Sequence, residues 1–233
     1  MNSADVIVKL AGVSRLYRQG TVEVRALAHI DLEIRRGDFA VLVGPSGSGK
    51  TTLLNVIGGL DSPTVGQVWV DGAEIGQLGK SALSEIRLRK IGFVFQEFNL
   101  IPVLSALENV EFVMLLQGVR EEQRRGRARA LLKDLGLEGL EHRRPQQLSG
   151  GQQQRVAVAR AIAAEPIIVL PDEPTANLDS KAGAALMDMM RELNERRGVT
   201  FVFSTHDPMV VERARRVIRL RDGRIEADDR GAS

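Results

Sequence analysis

The stretch Gly44-Pro45-Ser46-Gly47-Ser48-Gly49-Lys50-Thr51-Thr52 has the residue types and spacing to hold a polyphosphate. Glycines at 44, 47 and 49 let the backbone turn tightly and aim successive N–H groups inward, and the helical run TLLNVIGGL that follows adds the positive end of its dipole. Lys50 is placed to reach the β- and γ-phosphates, and the Thr51 hydroxyl to ligate Mg²⁺. A glycine-rich turn with a solvated lysine would need neither the apolar run FAVLV directly before it nor a helix directly after. A nucleoside triphosphate is the ligand that this context predicts.

A second constellation lies far along the chain, where the apolar run IIVL leads through Pro171 into the adjacent acids Asp172 and Glu173. A Mg²⁺-bearing phosphate cradle needs a carboxylate at the tip of a neighbouring strand, and Asp172 stands where such a strand would deliver it. Glu173, pointing elsewhere, can orient and deprotonate an attacking water, a role worth about 10² to 10⁴-fold in rate. The alternative is two acids that merely begin a solvated turn. Pro171 lacks an N–H and drives Leu170 toward extended geometry, so it is expected at the end of a strand, marking where the ladder stops and stiffening the approach to Asp172.

These side chains need strands to carry them. Residues 6–43 alternate apolar stretches with turn signals and read as a β meander ending in a buried strand, a theme that QVWVDG and IGFVFQ continue. From about residue 105 the periodicity becomes helical, in SALENVEFVMLLQG and then EEQRRGRARALLKDLGL, where Ala128, Leu131, Leu132 and Leu135 recur at helical spacing. Beyond this insert, IIVL, TFVFST and RVIRLRDG are compact apolar strands separated by helices near 150–163 and 180–197, the alternation of a parallel sheet. The expected organisation is one α/β domain interrupted by helices, residues 1–96 and 165–233 forming the catalytic core with its β portion and 97–164 the helical subdomain.

Bulk properties narrow the function classes. The 233 residues are 43% hydrophobic and 27% charged with a formal net charge of +2, so charge alone selects neither nucleic acid nor anionic lipid as partner. The locally basic run REEQRRGRARA lacks interleaved aromatics and reads as a solvated helix face. With no cysteine, disulfides, thiolate metal sites and cysteine nucleophiles are excluded. No apolar run approaches the roughly 20 residues of a membrane helix, and the N-terminus carries an early Asp5 and lacks the features of a leader peptide. A cytoplasmic location follows as the expectation, with any membrane segment supplied by another chain.

LSGGQQQRVAVARA, from Leu148, supplies a second anion-facing device: Ser149, Gly150 and Gly151 precede a long helical run. One nucleotide has a single γ-phosphate, and two copies arranged head to tail resolve the surplus, each offering its Ser149 turn to the triphosphate held by the other's Lys50. In the order GPSGSGKT, LSGGQ, DEPT the sequence resembles the ATP-binding cassette (ABC) ATPases, over roughly residues 5–227. The resemblance implies a P-loop NTPase, RecA-like parallel-sheet core with an N-terminal antiparallel β subdomain and an inserted helical subdomain. It implies nucleotide contacts from the whole 44–52 loop and from Ser149, Gly150, Gly151 and Gln152, with MgATP as glue between two such domains. It further implies that Tyr17 stacks on adenine, that Gln96 senses Mg²⁺ and the attacking water, that His206 contacts the γ-phosphate, and that Asp179 couples the two sites. Thr51, Gln96 and Asp172 are then the expected metal-side residues, and Glu173, His206, Gln96 and Lys50 the expected catalytic ones.

The text GPSGSGKTTLLNVIGGLDSPTVGQVWVDG with IGFVFQEFNLIPVLSALENVEF is similar to the macrolide-export and lipoprotein-release group, MacB and LolD. Pro171 departs from that group, where alanine is usual, and no membrane segment is fused as in the macrolide exporter, so a separate transmembrane permease is implied, with this chain peripheral on the cytoplasmic face of the inner membrane. The apolar residues Phe98, Leu100, Ile101, Val103 and Leu104 after Gln96 either pack under the helical insert or form a socket for a helix of that permease. The function implied is an ATP-hydrolysing subunit driving export, lipoprotein release or mechanotransmission. The alternative is a regulatory ATPase of the cell-division type, which signals to a membrane partner without transport. Soluble relatives serving DNA repair or the ribosome would carry coiled-coil insertions or two cassettes, and this sequence shows neither.

Overall fold

The structure, a computed structural model, describes residues 5–20 and 22–230; residues 1–4, which entered the leader argument, and the outer limits expected for the domain lie outside them. Two sheets organise the chain. Strands β1 (Val6–Gln19), β2 (Val22–Arg35), β4 (Val65–Val70) and β5 (Ala73–Glu74) form an antiparallel sheet in the order β2-β1-β4-β5. Strands β3 (Phe39–Val43), β6 (Ile91–Val94), β7 (Ile168–Pro171), β8 (Thr200–Ser204), β9 (Arg216–Arg221) and β10 (Arg224–Arg230) form the second, in the order β10-β9-β3-β8-β7-β6. It is parallel throughout except for the β9–β10 hairpin.

FAVLV and IGFVFQ therefore leave the N-terminal meander and enter the parallel sheet as β3 and β6. The physical reason is visible in their composition: strands buried on both faces read as continuous apolar runs. The alternation of side chains then divides the core in two. Ala40, Leu42, Ile168, Leu170 and Val202 face the antiparallel sheet and helix α1 (Lys50–Ile57), whereas Phe39, Val41, Val169, Phe201 and Phe203 face a helical layer. That layer holds α3 (Ala106–Leu116), α4 (Glu121–Asp134), α5 (Gly150–Ala163) and α6 (Ser180–Arg197). Between β6 and β7 the chain is helical, and Leu131, Leu132 and Leu135 of its α4 arm belong to the same apolar cluster as Phe201 and Phe203, so the inserted helices share the core of the sheet. Two short helices not read from the sequence are α2 (Lys80–Lys90) and α7 (Pro208–Glu212). No helix among the described residues is long and apolar enough to cross a membrane.

The two sheets are also joined by charge. Arg216, 5% exposed at the start of β9, donates to Asp228 Oδ1 and Oδ2 at 2.7 and 2.6 Å, to Asp38 Oδ2 at 2.8 Å, and to the Glu33 carbonyl of β2 at 2.8 Å. The hydrogen bonds from Arg216 hold the Asp228 carboxyl below its ordinary value against the opposing effect of burial. Stability from a depressed carboxylate is present above the unfolded pKa and is lost as pH falls through the folded one. Arg216→Met is expected to reduce unfolding free energy at pH 7 by about 3 kcal/mol, because it leaves Asp38 and Asp228 without their cation. In urea titrations repeated at descending pH, the difference between the variant and the parent should shrink below about pH 4, as the stability contributed by the depressed Asp228 carboxyl is lost.

Candidate functional site

Parallel strands that end at one level present their following residues along one sheet edge, the usual place for ligands in open α/β sheets. Here the neighbours β3, β8, β7 and β6 are followed in turn by the 44–50 loop, by Thr205 and His206, by Asp172 and Glu173, and by Gln96. The edge opens onto a cavity of about 690 Å³. Twelve of the residues singled out in the sequence line it: Tyr17, Gly44, Pro45, Ser46, Gly47, Gly49, Lys50, Thr51, Thr52, Gln96, Glu173 and His206.

The loop is seated by backbone contact that tolerates no side chain. A Cβ on Gly44 would lie 2.1 Å from the Leu220 carbonyl oxygen, and one on Gly49, whose φ is +101°, would lie 2.5 Å from that of Ala26. The loop is thus wedged between β2 and the end of β9. Lys50 folds back so that Nζ donates to the carbonyls of Gly44 and Pro45 at 2.7 and 3.0 Å, which places its ammonium inside the turn. Ser48 is buried and its hydroxyl has no partner among the described residues.

The two acids face different partners. Asp172 Oδ1 accepts from Thr51 Oγ1 at 3.1 Å, bringing together a hydroxyl and a carboxylate, both hard oxygen donors. A Mg²⁺ ion that keeps several waters and takes its other oxygens from a triphosphate fits such a sparse set. Glu173 turns the other way with φ +47°, its Oε1 2.8 Å from His206 Nδ1 and its Oε2 accepting from Thr205 Oγ1 at 3.2 Å. Pro171 is buried at the end of β7, but the ladder does not stop there. Pairing resumes at Asp172 and Ser204, with Asp172 N donating to Val94 O and Glu173 N to Ser204 O, both at 2.9 Å. Donors alternate between the two neighbouring strands, so the proline removes a single rung on the β8 side.

After β6 the chain is held in an unusual path. Phe98 and Asn99 have consecutive left-handed φ values of 60° and 48°, a conformation that costs about 1 kcal/mol or more for phenylalanine. Arg160 of α5 donates to the carbonyls of Asn99 and Phe98 at 2.5 and 3.0 Å, and burial lowers its guanidinium from the ordinary value. Asn177 donates to the Gln96 carbonyl at 2.9 Å, and the buried Asn109 amide closes the loop from the other end with four bonds to residues 101–105. Phe98, Leu100, Ile101 and Leu104 are half-buried here and only Val103, at 71%, stands free, so most of the apolar surface expected of this loop faces inward.

The signature residues lie apart from the cavity. Ser149 caps α5, its hydroxyl accepting from Gln152 N at 3.3 Å while Gln152 Oε1 accepts from Ser149 N at 2.9 Å. Asp179 caps α6 by accepting from Ala182 N at 2.8 Å. Neither they nor Gly150 and Gly151 line the cavity of their own chain. Conversely, Val24, Arg25, Ala26 and Ala176 line it without having been singled out, and Thr205 holds Glu173. The first two sit opposite Tyr17 and Leu16 in the β1–β2 hairpin, a register that spacing within either strand does not reveal.

The sequence pattern of the ABC transporter family is matched over residues 27–176. The chain belongs to that family. It is an ABC-type ATPase, and its fold is that of the ABC cassette. It is 48% identical over 233 residues to the lipoprotein-releasing system ATP-binding protein LolD of Anaeromyxobacter dehalogenans, covering 97% of this chain and 95% of that one. It is 47% identical to the macrolide export ATP-binding/permease protein MacB of Escherichia coli over 97% of this chain but 35% of MacB. Among solved structures, the ATP-binding cassette MJ0796 in a dimeric post-hydrolysis state bound to ADP and Pi superposes with a TM-score of 0.90 at 46% identity, covering 97% of this chain and all of that one. The resemblance read from the sequence is thereby borne out.

Arg160 is expected to be the brace of the loop after β6. In Arg160→Met, amide hydrogen exchange over residues 97–101 should accelerate about tenfold, as two charge-assisted bonds are lost from a strained segment, while β3 keeps its protection.

Proposed function

We propose that two copies of this ABC ATPase close head to tail on two MgATP and that hydrolysis drives a separate membrane permease. The observation that carries the reading is the split site: Lys50, Glu173 and His206 line one cavity, whereas the Ser149 turn of the same chain lies outside it. The first-turn N–H groups of Gly150 and Gly151 have no carbonyl four residues back, so they are donors left for a ligand, and a second chain is what can bring them to the γ-phosphate. The dimeric form of MJ0796 supports this arrangement.

In this reading the 44–52 loop wraps the phosphates, Lys50 neutralises the β- and γ-oxygens, and Thr51 and Asp172 would hold Mg²⁺, which would supply charge stabilisation there. Glu173 takes the proton from the attacking water; Thr205 and His206, each against one of its oxygens, hold the carboxylate in place. His206 contacts the γ-phosphate, Gln96 reports its presence to the loop braced by Arg160, Asp179 couples the two sites, and Tyr17 stacks on adenine.

The permease would dock beside this loop, on the cytoplasmic face of the membrane. Leu60, Leu88, Phe93, Phe95 and Val113 line an open groove of about 330 Å³, and Leu115 and Leu116 on α3 are 50% and 57% exposed. Such surface is more than scattered apolar residues explain. Phe95, the residue before Gln96, and Arg160 line it, a placement that would pass γ-phosphate occupancy to the partner. Names of relatives such as LolD and MacB support export or lipoprotein release as the kind of work done.

Glu173→Gln should lower hydrolysis by about 10²-fold or more while an ATP-dependent dimer accumulates on size-exclusion chromatography, and Lys50→Ala should elute as monomer with ATP present. A Glu173→Gln chain turning over ATP like the parent removes Glu173 from the role of base. With the permease co-expressed, Leu115→Asp/Leu116→Asp should abolish co-purification and leave the hydrolysis of the isolated chain within about twofold, since surface substitutions away from a site change little.

A further inference from the structure

The arm that carries Tyr17 is tethered at one place. Pairing of β1 with β4 ends at Ser14 and Val65, so residues 15–19 share a strand ladder with β2 alone, as a two-stranded ribbon of marginal stability. Among the described residues, the side-chain bonds that leave this ribbon near Tyr17 go to Asp61 and Thr64. The Tyr17 hydroxyl donates to Asp61 Oδ2 at 2.6 Å, Arg15 Nε donates to the same oxygen at 2.9 Å, and Arg15 Nη2 lies 2.7 Å from Asp61 Oδ1. The Arg15 guanidinium also lies over the Tyr17 ring, 4.7 Å from its centroid. The pair is well withdrawn from solvent, with side-chain exposures of 24% and 19%. Asp61 follows the helix that begins at Lys50, and its N–H is held by Asn55 O of that helix at 3.1 Å.

We propose that Arg15 and Asp61 are positioning residues for base recognition. They hold the Tyr17 ring as a preformed surface and tie it, through the end of α1, to the phosphate loop, so that base and triphosphate meet at a fixed separation. An aromatic fixed in advance loses less rotamer freedom on stacking, and the cation lying on its ring restricts it further. The inference rests on the reading of Tyr17 as the base-stacking residue and adds the residues through which that stacking is set.

Binding of ATP and of inorganic tripolyphosphate, each with Mg²⁺, separates the two parts of the ligand. Asp61→Ala and Arg15→Met should each weaken ATP about fivefold and leave tripolyphosphate within about twofold, and Tyr17→Phe, which keeps the ring and loses the hydroxyl bond, should weaken ATP about threefold. In steady-state assays the KM for ATP should rise by the same factors with kcat unchanged. Added to Tyr17→Ala, Asp61→Ala should have no further effect on ATP, because its action passes through the ring. Equal weakening of ATP and tripolyphosphate, or full additivity with Tyr17→Ala, would overturn the proposal and make the pair a structural tie of α1. A Tyr17→Ala chain that binds ATP like the parent removes the stacking reading itself, and the positioning role with it. A loss in Tyr17→Ala without one in Asp61→Ala, Arg15→Met or Tyr17→Phe removes the positioning role alone.

Discussion

The hydrogen bonds that carry β7 past its proline, Asp172 N to Val94 O and Glu173 N to Ser204 O, set the height of the two carboxylates relative to every other group in the cavity. Thr205 N extends the same stitching by donating to Leu42 O at 3.2 Å, so the ends of β6, β7, β8 and β3 are joined as one edge. The phosphate loop leaves that edge from β3, and Thr51 meets Asp172 across it at 3.1 Å. A slip of one residue in β7 would exchange the roles of Asp172 and Glu173, since successive side chains point to opposite faces. Burial of Val169 against Phe201 on one face and of Ile168 and Leu170 on the other forbids that slip. The chemistry is therefore registered by the core, and the loops supply only the final turn.

Helix α5 is the element that ties this edge to the helical layer. Its Gln154, fully buried, donates to the Pro174 carbonyl at 2.8 Å just beyond Glu173, and its Arg160 holds the carbonyls of Phe98 and Asn99. One rigid rod thus touches the segment that carries the acid and the segment that follows Gln96. Val156, Ala157, Val158 and Ala159 of the same helix are buried in the shared core, so both contacts belong to one close-packed body. The left-handed pair at Phe98 and Asn99 is held in its path by the Arg160 bonds to its two carbonyls.

What the sequence exposed, and what it hid, follows from where the stabilising interactions lie. FAVLV, IIVL and TFVFST were legible as strands because their cores are apolar on both faces, and the residues following them were legible as a site because chemistry demands particular types there. The α2 segment KSALSEIRLRK has no buried residue, so no apolar period announces it. β10, RIEADDR, pairs with β9 along the backbone, and its side chains meet those of β9 as ion pairs such as Asp228 to Arg216, so it is equally silent in hydrophobic pattern. The entry of FAVLV and IGFVFQ into the parallel sheet could be told from their unbroken apolar character but was masked by the hairpin that precedes them. Arg15 and Asp61 stand 46 positions apart and obey no spacing rule, so their meeting at Tyr17 needed the register of β1 on β4.

The separation of the Ser149 turn from the Lys50 cavity has a different origin from these gaps, since no refinement of a single chain's fold would close it. The N-terminus of α5 is fixed by a reciprocal capping box between Ser149 and Gln152, and its axis is fixed by the core, so the turn cannot swing toward its own phosphate loop without unpacking the helical layer. The capping bonds use the Gln152 N–H and leave those of Gly150 and Gly151, whose lack of side chains keeps the approach open. Glycine has a low helix propensity, roughly 1 kcal/mol below alanine in a helix interior, so it is not helix formation that favours it here. A Cβ at Gly150 would meet its nearest neighbour at 3.6 Å and one at Gly151 at 3.4 Å, ordinary contact distances, so intrachain packing does not demand glycine at either place. Glycine at both places fits the proposed arrangement, in which another copy brings a ligand close to that backbone.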